Sequence, residues 1–379
     1  MPTLKPFPSL AALAFVLLSL PGIPSVAADR PTALDSSAES DAYYRGLRSR
    51  LTAGEPADRV IDDLLGRVQT SELGDVITSC PATPPGGYPG VTNQGFYFLT
   101  EILPAGVALD SPACGQFLRC FLGQMVAHQQ NPAANPPSPH SEATLIIDRQ
   151  CVVNTTLFLP NRFVLAGVGT EGRGVLVFDL PDGWPAIRFA PSTDADLRFV
   201  TIRDLNLVNA SCCGQVGIDV SHSSQVNLER LRIHDFGFGV LGSTAYSITI
   251  EESDIHNNGF NLVLGEDTTA WRVRDTVLNQ SGLIGAVLLP TSRGNLISGG
   301  RVESNPITGI YMRGPQNTIE NGWFEGNGIG FGDHGIRVAP SADQSHVLSN
   351  LFSTEDVLDQ GTRTKICFNS EDEVANNCF

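Results

Sequence analysis

The feature that most constrains the fold is an imperfect repeat in residues 199–343. Two of its units read NLERLRIHD, from residue 227, and TIEESDIHN, from residue 249, and a short apolar segment follows each of them. Successive units begin at spacings of 22, 23, 24 and 23 residues, at Gln225, Ser247, Ala270, Gly294 and Asn317. A period in the low twenties with two or three strands per unit is typical of one coil of a solenoid. The repeat therefore predicts an array of stacked coils.

Alignment of the units produces two columns of apolar residues. Because side chains alternate between the two faces of a strand, the residues of one column share a face and stack on the next coil. The first strand of each unit contributes Leu207, Ile233, Ile255, Leu278, Val302 and Phe324. The second strand contributes Ile218, Val240, Leu262, Val287, Ile310 and Ile336. These columns predict a buried interior. Amides that cap backbone groups at sharp bends are predicted at a further column, Asn209, Asn257, Asn305 and Asn327.

A glycine-rich turn follows the segment LPNRFVLAGVG at residues 159–169. This pattern resembles the opening coils of right-handed parallel β-helix proteins of the pectin-lyase-like class, and the resemblance covers about residues 144–355. It implies an all-β fold built as a right-handed single-stranded parallel β-helix. A leucine-rich repeat would need Leu and Asn spacings that these units lack, and β-propeller units would be nearly twice as long. The fold hosts unlike activities, so the resemblance alone does not select one.

Changes in composition divide the chain into five predicted segments. Residues 1–28 have the positive start, apolar stretch and small-residue cleavage site of a signal peptide. Apolar residues at three- and four-residue steps predict a small helical N-terminal region at 41–128, before a proline-rich linker at 129–141. The predicted β-helix spans 142–355. The cysteine-containing tail at 356–379 is expected to cap the open strand edges at the end of the solenoid.

The cysteines and the signal peptide together indicate an exported protein. All 8 cysteines follow the signal peptide, and an even number in an exported chain predicts disulfides. Closeness in sequence favours the pairs Cys114–Cys120 and Cys367–Cys378. Zinc binding is the alternative, but no paired C-x-x-C motif supports it. We expect a secreted protein, periplasmic or extracellular, with no membrane span in the mature chain. Trimerisation, which the β-helix resemblance allows, stays open.

The formal net charge of −16 argues against a nucleic-acid partner. Only 24 of the 379 residues are Lys or Arg, and they form no stripe, whereas phosphate binding needs clustered positive charge. The same deficit disfavours attraction to an anionic membrane surface. The expected partner is a polysaccharide or a surface glycan. An anionic polymer would need a local arginine cluster.

Outward-facing positions form three columns on the predicted solenoid. The first alternates opposite charges and is interpreted as a ladder of surface ion pairs: Arg203, Glu229, Glu251, Arg274, Ser298 and Glu320. The second stacks two histidines, which are interpreted as a surface ladder or as a metal or acid–base site: Val208, His234, His256, Asn279, Glu303 and Glu325. The third has an apolar middle, which we expect the N-terminal helices or the tail to cover: Asp219, Leu241, Val263, Leu288, Tyr311 and Arg337.

The candidate catalytic residues gather at the last coil of the array, where the period lengthens to 27 residues. A glycine-rich loop at 326–332 borders them, and such loops on a rigid scaffold often border binding sites. The candidates are His334, Tyr311, Arg337, Arg313 and Asp333. They suit proton abstraction next to a uronate carboxylate, with an arginine holding the carboxylate, His334 as the base and Tyr311 as the acid. This is the reaction class of polysaccharide lyases and epimerases.

Two other functions stay open from the sequence. Inverting hydrolysis would use two separated carboxylates, and Asp333 with Glu303 or Glu325 could supply them. The segment Asp333-His334-Gly335 resembles the histidine-glycine motif of polygalacturonases, but the Asp pair that those enzymes carry on preceding coils is absent. The other open function is non-catalytic, in which the β-helix is an adhesin-like binding platform. No cofactor is identified, and no ligand motif supports Ca²⁺.

Overall fold

The strands of the described residues are wound into a parallel β-solenoid. The computed structural model describes residues 36–53, 55–68, 80, 95–130, 143–168, 174–190, 199–211, 213–329, 331–332, 334–353 and 355–368. The predicted signal peptide and most of the predicted linker lie outside these residues. The helices in the described part are α1 (Ser36–Thr52), α2 (Ala57–Leu65), α3 (Leu99–Ile102) and α4 (Pro112–Gln130).

Three sheets run along the solenoid, and successive coils add one strand to each. The first sheet contains β1 (Gly95–Phe98), β2 (Ala143–Ile147), β5 (Phe163–Gly167), β8 (Val200–Arg203), β11 (Ser224–Glu229), β14 (Tyr246–Glu251), β17 (Arg272–Arg274), β20 (Leu296–Ser298), β23 (Thr318–Glu320), β26 (His346–Phe352) and β28 (Lys365–Phe368). The second contains β3 (Cys151–Val153), β6 (Val175–Phe178), β9 (Asn206–Asn209), β12 (Arg232–His234), β15 (Asp254–His256), β18 (Val277–Asn279), β21 (Arg301–Glu303) and β24 (Trp323–Glu325). The third contains β4 (Leu157–Leu159), β7 (Pro185–Phe189), β10 (Val216–Asp219), β13 (Phe238–Gly242), β16 (Phe260–Leu264), β19 (Ile284–Leu288), β22 (Thr308–Met312), β25 (His334–Val338) and β27 (Asp356–Asp359).

Every strand pairs in parallel with its counterpart on a neighbouring coil, and the predicted fold class is confirmed. In the second sheet, for example, Ile233 is in register with Leu207 on one side and Ile255 on the other. All three side chains are fully buried. Each coil thus buries its apolar face on the next coil, as expected for a solenoid.

The second apolar column is confirmed at every position except that of Val287. The neighbour of Leu262 is Ala286, not Val287. Because side chains alternate along a strand, this slip of one residue exchanges the two faces of β19. Leu288 therefore joins the interior, and Val287 takes its place in the outward column.

Buried amides line the bend between the second and third sheets, as the sequence predicts. The Oδ1 of Asn305 accepts a hydrogen bond from the Ser281 N–H at 3.0 Å, and its Nδ2 donates to Asn327 Oδ1 at 2.8 Å. One residue of the predicted column is wrong, because Asn257 is exposed and occupies the left-handed turn position with φ 53°. Asn258 is the buried amide in that coil. The ladder satisfies backbone groups that the bend leaves without strand partners.

Helix α4 covers the N-terminal end of the solenoid interior. Its buried side chains Leu118, Phe121 and Leu122 join the interior cluster. The helix approaches β3 closely at Gly115, where a Cβ atom would lie 2.6 Å from the Cα of Val153. A glycine is therefore required at this contact.

Two disulfides secure this end of the molecule, Cys114–Cys151 and Cys80–Cys120. The predicted presence of disulfides is confirmed, but the pair Cys114–Cys120 is wrong. Both residues lie on α4, where six residues span about 9 Å of helix, too far for one disulfide. Cys367 is also disulfide-bonded. The predicted partner of Cys367, Cys378, lies outside the described residues.

The tail that was predicted to cap the solenoid contains two further strands. Strand β27 pairs with β25 and β28 pairs with β26, both in parallel. Residues 369–379 lie outside the described part. In the ranges given above, no helix combines the length and the apolar character that crossing a bilayer requires.

Helices α1 and α2 cover the outer face of the third sheet. Val60, Ile61 and Leu64 of α2 share one buried cluster with Val263 and Val287 of the outward column. The apolar middle of that column is therefore covered by the N-terminal helices, as the sequence led us to expect. We refer to α1, α2 and the turn between them as the α1–α2 hairpin.

Tyr44 anchors the α1–α2 hairpin in a notch between two coils. Its hydroxyl group lies 3.2 Å and 3.3 Å from the carbonyl oxygens of Cys213 and Phe236. The ring lies against Gly259 and Gly282, where Cβ atoms would come within 2.6 Å and 2.5 Å of ring carbons. Burial raises the pKa of the Tyr44 hydroxyl group well above its usual range, so it remains a neutral donor.

The asparagine ladder generates the first prediction. Asn305→Ala should lower the free energy of unfolding by about 1–3 kcal/mol, because the buried Ser281 N–H and the Leu278 carbonyl oxygen lose the hydrogen bonds that the Asn305 amide forms with them. Urea denaturation monitored by circular dichroism measures this change. Asn227→Ala is the control, since Asn227 is exposed on β11 and should change stability by less than about 0.5 kcal/mol. Equal effects of the two substitutions would contradict the role of the ladder.

The glycine notch generates the second prediction. Gly282→Ala should lower the free energy of unfolding by about 1–3 kcal/mol and expose the hairpin to proteases, because the new methyl group overlaps the Tyr44 ring. Gly46→Ala is the matched control. A Cβ at Gly46 has no neighbour within 4 Å, and Ala favours the helix by up to about 1 kcal/mol. Unchanged protease sensitivity of the Gly282→Ala hairpin would show that the notch does not hold it.

Candidate functional site

Two of the sequence-predicted catalytic residues lie together beneath the α1–α2 hairpin. Tyr311 and Arg337 are in register on β22 and β25, and the guanidinium carbon of Arg337 lies 5.3 Å from the centroid of the Tyr311 ring. This is a cation–π contact. Tyr311 is only 6% exposed because it belongs to the cluster that the hairpin covers. The Nε of Arg337 is buried without a hydrogen-bond partner in the described part of the chain.

The other predicted catalytic residues have different partners. The Nδ1 of His334 forms a hydrogen bond with a carboxylate oxygen of Asp356 on β27. Arg313 faces α2, and its guanidinium nitrogen lies 3.9 Å from Asp62 Oδ1. Asp333 lies outside the described residues. The four described candidates therefore form no single group. Tyr311 and Arg337 contact each other, His334 contacts the next coil, and Arg313 faces α2.

An open cleft of about 430 Å³ lies beside α2 on the outer side of the third sheet. One wall comes from α2 and the residues that follow it, Asp62, Leu65 and Val68. The other wall comes from β7, β10, β13 and the turns that leave the third sheet on successive coils: Arg188, Asp219, Ser221, His222, Leu241, Ser243, Gly265, Glu266 and Leu289. We call this site the α2 cleft. Arg313, from the predicted group, reaches its edge through the contact with Asp62.

A buried ion pair lies in the α2 cleft. The Nε of Arg188 is 3.2 Å from Asp219 Oδ2, and the two side chains are 15% and 4% exposed. The second carboxylate oxygen of Asp219 accepts the Ser221 N–H at 3.0 Å. The strands bring these groups together because Arg188 and Asp219 are in register on β7 and β10. With this partner and this hydrogen bond, the desolvation of both charges is partly offset.

Hydroxyl groups continue from the ion pair along the turns of the next coils. Ser221 Oγ accepts the Ser243 N–H at 3.1 Å, and Ser243 Oγ donates to the Glu266 carbonyl oxygen at 3.3 Å. The side chains of His222 and Glu266 are exposed at the rim. The cleft therefore combines hydroxyl, carboxylate and imidazole groups with apolar side chains, and both walls contribute to this mixture. That combination is suited to binding a polar ligand with apolar faces.

Sequence reasoning placed Asp219 in the third outward column but did not predict the α2 cleft. Asp219 stands at the head of the third outward column, where the later coils carry apolar residues. Arg188 precedes the recognisable repeat at 199–343, so no alignment of units places it beside Asp219. The wall formed by α2 is more than a hundred residues away in sequence. The signal in the sequence that points to the cleft is a charged residue, Asp219, at the end of the apolar middle of the column.

The stacked histidines of the second outward column are confirmed as neighbours. The ring centroids of His234 and His256 are 5.0 Å apart, with the planes inclined by 13°. Their Nδ1 atoms are engaged by Asp235 at 2.7 Å and Asp254 at 3.0 Å. Burial raises the pKa of the Asp254 carboxyl and is the largest single effect. The His256 hydrogen bond and the charges around it nevertheless hold that pKa below its usual value.

Metal binding finds no support in the described residues. No group of three or more His, Cys, Asp or Glu side chains in them is arranged to hold a metal ion. Both histidines of the stack use Nδ1 for a carboxylate, and their rings lie parallel, so two ligands on one metal would need rearrangement. His234 is partly exposed and His256 is buried, so the column is a stack of two imidazole rings, each held by its own carboxylate.

The stacked coils give the chain the fold of a parallel β-helix, like that of right-handed pectin-lyase-like proteins. The family profile described as "Periplasmic copper-binding protein (NosD)" matches residues 206–378. Among the described residues of that range, no group of three or more His, Cys, Asp or Glu side chains is arranged to hold a metal ion. No curated protein matches the sequence.

Solved structures with TM-scores above 0.5 share this fold. DFA-IIIase from Arthrobacter chlorophenolicus A6 without its lid, in complex with GF2, is 13% identical with a TM-score of 0.53, over 74% of this chain and 91% of that chain. The Dettilon tailspike protein (gp208) is 13% identical with a TM-score of 0.52, over 74% of this chain and 63% of that chain. The A-module of the Azotobacter vinelandii mannuronan C-5 epimerase AlgE6 is 17% identical with a TM-score of 0.49, over 75% and 83%. The chain spans less than two thirds of the tailspike protein. At these identities the likeness concerns the fold.

The buried ion pair generates the third prediction. Asp219→Ala should lower the free energy of unfolding by about 1–3 kcal/mol, because the partly buried Arg188 loses its carboxylate and the Ser221 N–H loses its acceptor. The control is Glu251→Ala, which removes an exposed partner 3.4 Å from Arg274 and should cost less than about 1 kcal/mol. Urea denaturation of both variants measures the difference. A cost for Asp219→Ala no larger than that of the control would show that the pair is solvated.

Proposed function

We propose that the protein is an extracytoplasmic polysaccharide-binding β-helix protein that holds a glycan in the α2 cleft. The observation that carries this proposal is the Arg188–Asp219 pair, buried in a cleft that is otherwise lined by hydroxyl groups and apolar side chains. The disulfides support an extracytoplasmic location, because such bonds persist in oxidising compartments.

The chemistry of the cleft matches that of a sugar ring. A sugar presents hydroxyl groups around its edge and C–H groups on its faces. A carboxylate and a guanidinium group that form an ion pair still have acceptor and donor positions for ligand hydroxyl groups, and such charge-assisted bonds are strong. Leu65 and Leu241 would contact the C–H faces. Several of these lining groups lie on successive coils, so a chain of sugar units could follow the axis of the solenoid.

Catalysis on uronate-containing glycans is the second candidate function. It is favoured by the pairing of His334 with Asp356, since a histidine whose Nδ1 is held by a carboxylate is arranged as a general base. Arg337, Arg313 and Tyr311 would serve the uronate carboxylate and the leaving oxygen in a lyase or epimerase. Tyr311 could act only if the hairpin moved, because it is buried in this arrangement. Binding in the open α2 cleft needs no such movement, and we favour it.

Glycan binding can be tested with the full mature chain. A glycan array should identify bound saccharides, and calorimetry should then show at least tenfold weaker binding for Asp219→Asn, because the carboxylate acceptor is lost. Ser243→Trp, which should fill the cleft from its rim, is a second variant in case Asp219→Asn loses stability. Glu251→Gln, on the first sheet, is the control and should bind like the wild type. Binding that survives both cleft variants, or no glycan bound at all, would refute the proposal.

The same preparation tests the catalytic candidate. Ultraviolet absorbance of unsaturated uronate products reports β-elimination on a panel of acidic polysaccharides, and product stereochemistry by NMR reports epimerisation. If either product appears and His334→Ala abolishes it, the enzyme candidate replaces simple binding. If no product appears while glycan binding is measured, the chain is a binding protein.

A further inference from the structure

We infer that the α2 cleft takes an uncharged, hydroxyl-rich saccharide and discriminates against uronates. This inference rests on the proposed glycan-binding function and specifies the class of ligand. It also separates the cleft from the Tyr311 region, whose arginines suggested a uronate. The argument depends on how the charges that face the cleft are already paired.

The carboxylates that line the described cleft outnumber the guanidinium groups. Asp62, Asp219 and Glu266 contribute three negative charges, and Arg188 contributes one positive charge. The Nε of Arg188 is 3.2 Å from Asp219, so its charge is largely neutralised within the protein. A uronate carboxylate would have to compete with Asp219 for this guanidinium group.

The next arginine along the cleft is also opposed by a carboxylate. Arg313 lies at the edge of the cleft with its guanidinium group 3.9 Å from Asp62 Oδ1. Glu266 is exposed at the rim, on the coil between the ion pair and Arg313. A uronate in the cleft would share it with these carboxylates, and like charges in a binding site disfavour the wrong ligand.

The remaining lining groups suit neutral hydroxyl groups. Ser221 and Ser243 each present an oxygen within the chain of hydrogen bonds along the turns. Asp219 is 3% exposed, so a ligand hydroxyl group that donates to it would form a charge-assisted bond shielded from water. Leu241 and Leu289 offer apolar contact to the ring faces. None of these groups requires a charge on the ligand.

Matched ligands provide the test. The probes are oligomers of polygalacturonate and of alginate, each with its carboxyl-reduced neutral counterpart, which keeps linkage and ring configuration. Calorimetry on the full mature chain at low ionic strength should show at least tenfold tighter binding of a neutral oligomer than of its uronate form. Raised salt should narrow this gap, because screening weakens repulsion between exposed charges.

Two rim variants locate the source of the discrimination. Glu266→Gln and Asp62→Asn each remove one negative charge from the cleft, and each should narrow the ratio of neutral to uronate affinity about threefold or more. Glu251→Gln is the control, because it removes the same charge from the first sheet and should leave the gap unchanged.

The outcomes separate this inference from the function on which it rests. If a uronate oligomer binds as tightly as its neutral counterpart, or the rim variants leave the gap unchanged, the ligand class is wrong while glycan binding stands. If neither form of any oligomer binds and the glycan array is also negative, both the function and the ligand class are wrong.

Discussion

The structure depends on the parallel register between successive coils. A single coil cannot bury its own apolar face, so Ile233 is buried only because Leu207 and Ile255 lie directly beside it. The same register stacks the amides of Asn305 and Asn327, which would otherwise be unpaired polar groups in the interior. The same stacking determines which outward side chains lie next to each other. Each surface feature of the molecule is therefore a consequence of which residues share a column.

The third outward column determines where the α2 cleft lies. Its apolar middle cannot remain in water, and the α1–α2 hairpin covers it through Val60, Ile61 and Leu64. The cover places Tyr311 in a buried cluster and leaves an open cleft along the side of α2. The notch that receives Tyr44 exists because Gly259 and Gly282 carry no side chain at adjacent coils. The position of the cleft thus follows from a packing requirement.

The sequence predicts what depends on the repeat and misses what depends on distant segments. Register within the array follows from the apolar alternation, and it is wrong only at β19, where one residue shifts Ala286 and Val287 between faces. The disulfide Cys114–Cys151 joins a helix to a strand, so closeness in sequence could not reveal it. For the same reason Arg188, which precedes the repeat, and the wall formed by α2 could not be assigned to the site of Asp219. The stacking of successive coils can be predicted from the repeat. The cleft cannot, because its two walls come from segments that are far apart in the sequence.

The place of the ion pair in this column bears on its role. A buried ion pair contributes little net stability compared with apolar residues of similar size, because both charges lose their hydration. The later coils use apolar residues at the equivalent positions, Leu241 and Val263, where the hairpin covers them. Arg188 and Asp219 occur where that cover ends and the cleft begins. Stability alone would favour continuing the apolar column. A polar pair held rigid by strand register at an open cleft is better explained as a ligand contact.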